Sequence, residues 1–148
     1  MGIQQALTQK IKEAMKTKDS VALAALRALK SAFMLANTAG DGELTDQDEL
    51  KIVQKQVKQR KDSATVFNEQ GRVDLADSEL AEAAILEQFL PEALSEEEIE
   101  TLVTTIIANT GAEGMKDMGK VMGIASKQLA GQADGKTISA IVKSKLLN

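Results

Sequence analysis

The chain contains no cysteine, no histidine, no tryptophan and no tyrosine, and only one proline and three phenylalanines in 148 residues. Without cysteine there is no disulfide framework and no thiolate chemistry. Without histidine the commonest general base and the commonest metal ligand are both missing. Zinc would have to rest on carboxylates alone, a poor match to its preference for nitrogen and sulfur. Serine and threonine are present, but no imidazole can activate them, and no motif singles out a Ser–Lys pair. No run of about 18 apolar residues exists, so no membrane span is expected. The opening Met1-Gly2-Ile3-Gln4-Gln5-Ala6 lacks a signal-peptide core, and Ala6 stands where a myristoylation site wants Ser or Thr. The cytoplasm is the default expectation, with no resident metal or cofactor.

Apolar residues make up 43% of the chain, enough for a globular core, and nearly all are Ala, Leu, Ile, Val and Met. Strands favour aromatic and β-branched residues, whereas Ala, Leu, Met, Lys, Glu and Gln favour helix. An all-α fold follows, and seven helices can be read. Ile3, Leu7, Ile11 and Ala14 mark the first. Asp19 or Ser20 caps a second whose apolar residues, Val21, Leu23, Leu26, Leu29, Phe33 and Leu35, point nearly all round, as in a helix central to its domain. A loop over 39–42 precedes Thr45 and Asp48, which imitate a capping box, and a long third helix runs to about Gln70 and stops at Gly71. Asp74 is expected to cap the fourth, which ends before Pro91. Ser95 and Glu98 form a capping box for the fifth, with acids in the first turn where the helix dipole favours them. Gly111 to Gly114 and then Gly131 separate the fifth, sixth and seventh helices, and Asp134 caps the last. A boundary near residues 91–95 divides the chain into a four-helix subdomain, 1–91, and a three-helix subdomain, 92–148.

Net charge is −4, which argues against a dedicated nucleic-acid binder, but the charges are segregated. Lys51, Lys55, Lys58, Arg60 and Lys61 occur with no acid among them, and Met115 to Asn148 carries six lysines against Asp117 and Asp134. Glu92 to Glu100 holds five glutamates and no base. Two glycine–lysine segments imitate a phosphate-binding loop. Gly114 to Lys120 has the right spacing but Val121 where a hydroxyl must hold magnesium, and Gly131 to Thr137 sets its glycines one residue too close. No strand is expected before them, as such a loop requires.

On a helix, Lys116, Lys120 and Lys127 fall within about 40° of one another, with Gly119 and Gly123 beside them. On the seventh helix Lys136 and Lys143 oppose the apolar stripe. A basic face interrupted by glycine lets phosphate oxygens reach backbone as well as ammonium groups, which suits an RNA backbone. The competing reading is a solvated face whose glycines allow close helix packing. With no Tyr, Trp or His to stack on bases, any RNA would be read by shape and phosphate. Lys55, Lys58, Arg60 and Lys61 form a secondary basic cluster, for which salt bridges to acids of the fourth helix, such as Asp74, Asp77, Glu79 and Glu82, are the plainer explanation. Arg27 and Lys30 are expected to pair with acids of the fourth helix. Glu79, Glu82 and Glu87 are carboxylates that a hard metal could use, with solvation or pairing as the plainer reading.

Several segments together resemble the GatB/YqeY family: Arg27-Ala-Leu-Lys30, Lys58-Gln-Arg60 with Phe67, Gly71-Arg72-Val-Asp74-Leu75, Ile85-Leu-Glu-Gln-Phe-Leu-Pro91, Lys116-Asp-Met-Gly-Lys120 and Ala133-Asp-Gly-Lys136. Their order and spacing span essentially the whole chain. The departures are Val73, where the family usually has an acid, and Ala83-Ala84, where a larger charged pair is common. The resemblance implies two helical subdomains and kinship with the tail of the B subunit of tRNA-dependent amidotransferase, a carbon–nitrogen ligase with glutamine as amido donor. That tail helps hold tRNA, while other domains carry the chemistry. Carried over by position, Lys116, Gly119, Lys120, Asp134, Gly135 and Lys136 are the RNA-facing set, with Lys127 and Lys143 extending the face and Asp134 doubling as a helix cap.

Three functions compete. One is an accessory protein for tRNA or another structured RNA, without catalytic domains of its own. A second is an interaction module that docks on a translation enzyme through the apolar rims of the four-helix unit. The third is a glutamine-dependent ligase in its own right, which predicts turnover by the purified chain.

Overall fold

The computed structural model describes residues 2–40 and 42–147. Met1, Asn148 and Asp41 of the expected loop lie outside the described residues. Among the described residues seven α-helices follow one another: α1 (Ile3–Thr17), α2 (Ser20–Ala39), α3 (Asp46–Glu69), α4 (Val73–Glu87), α5 (Glu96–Thr110), α6 (Met118–Gln128) and α7 (Gly135–Leu147). A 3₁₀ turn, Met115–Asp117, leads into α6, and no strand occurs among the described residues. The protein is all-α.

Four of the helices, α2, α3, α5 and α7, start where a short polar side chain satisfies a free backbone N–H group. The Ala22 amide donates to Asp19 Oδ1 at 3.1 Å and so caps α2. At α3 the box closes in both directions: the Asp48 amide donates to Thr45 Oγ1 at 3.1 Å, and the Thr45 amide to Asp48 Oδ2 at 3.0 Å. The short Asp therefore suffices, and its bonds to Thr45 hold the Asp48 carboxyl below its ordinary range. Ser95 and Glu98 close the equivalent box at α5. Asp74 does not cap α4. Arg72 occupies the cap position without a side-chain cap, and Asp74 sits inside the first turn. There the Arg72 guanidinium clasps the Asp74 carboxylate with bonds of 3.2 and 3.1 Å and lowers its pKa. The turn at Gly71, with φ of 74°, sets the helix start two residues earlier than the Asp alone suggests.

Residues 1–90 and 91–148 gather into two compact units. In the first, α3 and α4 form the most extensively packed pair, and α2 packs on α1, α3 and α4. Its core joins Leu7 of α1, Leu26, Leu29 and Phe33 of α2, Val53 of α3 and Leu86 of α4. Each such side chain removed from water contributes about 1.5–3 kcal/mol. α2 is central to this unit, as its apolar residues suggest, although Val21, Met34 and Leu35 are exposed. In the second unit Ile99 and Val103 of α5, Val121 and Ala125 of α6, Leu129, and Ile138 and Val142 of α7 make a separate core. Here too the segment before α5 is tied down, since the Leu94 amide donates to the Gln132 carbonyl at 3.1 Å.

Candidate nucleic-acid interface

The chain enters α6 through a backbone geometry that glycine favours. Gly114 has φ of 68°, a conformation costly for a residue with a Cβ. The Glu113 amide then donates to Asp117 Oδ2 at 2.8 Å, fastening the 3₁₀ turn. Lys116 lies on this turn, so the helical alignment with Lys120 and Lys127 holds only for the latter two. Those two stand two turns apart on α6, about 10 Å along its axis. Lys116, Lys120, Lys127, Lys136 and Lys143 are all exposed. None of them joins an ion pair among the described residues. The 3₁₀ turn, α6 and α7 pack on one another, so three adjoining segments carry the five side chains.

The glycines bear on one part of the competing reading, the close packing of helices. A Cβ built on Gly119, Gly123 or Gly135 would meet nothing within 4 Å. Close helix packing therefore does not explain them. A helix-interior glycine costs about 0.5–1 kcal/mol relative to alanine, so Gly123 on α6 is a local weakness with no internal compensation. What these positions offer is bare, solvent-facing backbone between cations.

Asp134 acts as a cap: its Oδ1 accepts from the Thr137 amide at 2.7 Å. Its carboxylate thus occupies the place at the start of α7 that an anion would otherwise take. Lys136 follows in the first turn and lines a cleft of about 380 Å³ with Glu96, Glu100, Thr137, Ser144 and Lys145. The acids of α5 thus lie beside the basic helices, a juxtaposition that spacing along the chain does not show.

The secondary cluster is mostly engaged inside its own unit. Lys58 pairs with Asp62 at 3.2 Å and Lys61 with Glu87 at 2.6 Å, while Lys55 is exposed and unpaired among the described residues. Arg60 Nη1 donates to the Gln56 carbonyl at 3.1 Å and to Gln56 Oε1 at 2.8 Å. Arg60 also faces Glu79 and Glu82 across a cleft of about 490 Å³. Burial pushes the Glu82 carboxyl upward, Arg60 opposes the shift and Glu79 adds to it. The Lys61–Glu87 pair is a bridge from α3 to an acid of α4, the kind of pairing the sequence suggested for this cluster. Arg27 and Lys30 are exposed and join no ion pair among the described residues, contrary to the pairing expected with α4. Glu79, Glu82 and Glu87 do not assemble into a metal-holding group among the described residues, and Glu87 is taken by Lys61.

A family model described as Yqey-like protein matches residues 4–146. The chain belongs to the YqeY-like family. Its YqeY-like relatives include a Kluyveromyces lactis protein named altered inheritance of mitochondria protein 41, mitochondrial. It is 32% identical over 145 residues, which cover 94% of this chain and 73% of that one. A protein of the same name from Pyrenophora tritici-repentis is 30% identical over 125 residues, 83% of this chain and 68% of that one. A glutamyl-tRNA(Gln) amidotransferase subunit of Thermococcus gammatolerans is 40% identical over 57 residues, 36% of this chain but 9% of that protein. The YqeY-like chain is thus related to the amidotransferase tail, and the activity in that name belongs to the archaeal protein. No helix among the described residues is long and apolar enough to cross a membrane.

Proposed function

We propose that this YqeY-like chain is an accessory protein that binds tRNA or a similarly structured RNA through its phosphate backbone. Lys116, Lys120, Lys127, Lys136 and Lys143 supply the cations. Gly119, Gly123 and Gly135 let phosphates approach the helix backbone, and Asp134 holds the start of α7 in place. The observation that carries the reading is the pairing of unpartnered lysines with glycines that nothing inside the protein requires. The relation to a tRNA-linked amidotransferase supports tRNA as the first RNA to try. The second unit, residues 91–148, contains no aromatic residue, so base stacking, worth about 1–3 kcal/mol per base, is not available to it. Recognition then falls on a folded backbone. The two units acting as separate subdomains and a cytoplasmic place of work belong to the same proposal; the mitochondrial names belong to the relatives that bear them.

A salt titration of binding to bulk tRNA, with a DNA duplex beside it, tests this. Each phosphate neutralised contributes about −0.9 to the slope of log affinity against log salt on a duplex. Tight, tRNA-preferring binding should weaken with salt, and Lys116→Ala, Lys120→Ala and Lys136→Ala together should reduce both affinity and slope. Unchanged affinity in the triple variant would remove these residues from the site. Absence of binding at low salt would remove the RNA reading itself.

A further inference from the structure

Two helices of the first unit each present an exposed stripe that the fold leaves uncovered. On α2, Ala24, Arg27, Ser31 and Met34 fall within about 80° of one another. All four are exposed, Met34 to 59%, and the neighbouring Leu35 to 71%. On α4, Val73, Asp77, Leu80 and Ala84 fall within about 60°. All four are again exposed, Val73 to 57% and Leu80 to 43%. Exposed single apolar residues are ordinary, but two ordered stripes with large side chains are the pattern of an interaction surface.

The charges on the stripes are of opposite sign. α2 has no acid along its 20 residues, and Arg27 and Lys30 are its only charges. α4 has no base, and Asp77 lies in the middle of its apolar stripe. Arg27, Lys30 and Asp77 join no ion pair among the described residues. An α2 stripe set against another α2 stripe offers Arg27 and Lys30 no anion, and an α4 pair offers Asp77 no cation. The crosswise pairing sets cation against anion while covering Met34 and Leu80, and charge complementarity favours it over the alternatives.

We propose that the first unit associates with a second copy of this chain, the α2 stripe of one copy lying on the α4 stripe of the other. α2 and α4 pack together within the unit. Reciprocal exchange of the two stripes is the arrangement that closes as a two-fold dimer, whereas one unreciprocated contact would propagate. This inference is independent of the RNA reading, because it uses no residue of the basic face.

Sedimentation equilibrium of the full chain, from low to high micromolar, tests the association. A reversible dimer is expected. Met34→Glu or Leu80→Glu should leave a monomer with unchanged helix content, and with the wild-type melting temperature at concentrations where the wild type is itself monomeric, since neither side chain supports the core. Arg27→Glu and Asp77→Arg should each weaken the dimer, and the two together should restore it. The chain lacks cysteine, so a mixture of Met34→Cys and Leu80→Cys proteins should form a disulfide-linked pair that neither forms well alone. A monomer at every concentration overturns the proposal. So does a dimer indifferent to all four substitutions, or equal crosslinking of either cysteine variant by itself.

Discussion

The ammonium of Lys61 on α3 lies 2.6 Å from Oε1 of Glu87 on α4, tying the end of α4 to the middle of α3. By spacing alone the same lysine fits either a basic patch open to a partner or a salt bridge to α4. Both side chains remain about half exposed, so solvent screens the pair. Lys61→Ala should therefore lower stability by no more than about 1 kcal/mol, read as a small shift in the urea midpoint. It should leave tRNA affinity unchanged, while Lys120→Ala weakens binding. A loss of binding from Lys61→Ala equal to that from Lys120→Ala would move the interface onto the first unit.

Gly123 separates stability from function. It lies inside α6, and a Cβ there meets nothing within 4 Å. Gly123→Ala should stabilise the protein by about 0.5–1 kcal/mol and at the same time weaken tRNA binding by crowding the approach to the backbone. Higher melting temperature with undiminished binding would show that the bare backbone is not used.

The two cores predict separable responses. Leu29 is completely buried in the first core, and Val142 in the second. Leu29→Ala should cost about 2–5 kcal/mol and raise amide exchange across α1 to α4. Val142→Ala should raise it across α5 to α7. If either substitution accelerated exchange equally throughout the chain, the two units would be one cooperative body rather than separate subdomains.

Glu82 gives a pH dependence of definite sign. Its carboxyl is raised above the ordinary glutamate value, chiefly by burial. Ionised Glu82 is thus less favourable in the folded chain than in the unfolded one, and its penalty appears as pH rises through the raised value. Below the unfolded value both states are protonated and the penalty vanishes. Glu82→Gln should stabilise the protein at neutral pH, with the gain fading in acid, as followed by melting temperature against pH. Destabilisation at neutral pH would mean that attraction to Arg60 outweighs burial.

Much of the fold can be read directly because its signals are local. Asp19, Thr45 with Asp48, Ser95 with Glu98, and Asp134 each cap the helix start to which their spacing assigns them. A cap involves only neighbours in the chain, so three or four residues suffice to recognise it. Asp74 departs from the capping role its sequence suggests because the Gly71 turn fixes where the backbone becomes helical, and a nearby arginine is a stronger partner for the carboxylate than a free amide. That Lys116 lies on a 3₁₀ turn and not on α6 was not legible, because a turn of three residues carries almost no periodic signal.

The candidate interface divides in the same way. Which lysines exist, and that glycines lie among them, is a property of the sequence. That those glycines face no neighbour, that Lys136 shares a cleft with Glu96 and Glu100, and that Arg27 finds no acid are properties of packing. Helical class, the capped helix starts and the absence of thiol and imidazole chemistry were determined by the sequence alone, since each depends on composition or on contacts within a few residues. Which charges pair, which apolar faces stay bare and which glycines lack a structural reason were decided only by the tertiary structure. Those outcomes turn on distances between residues far apart in the chain, and 3.6-residue periodicity fixes a direction around one helix but not what stands opposite it.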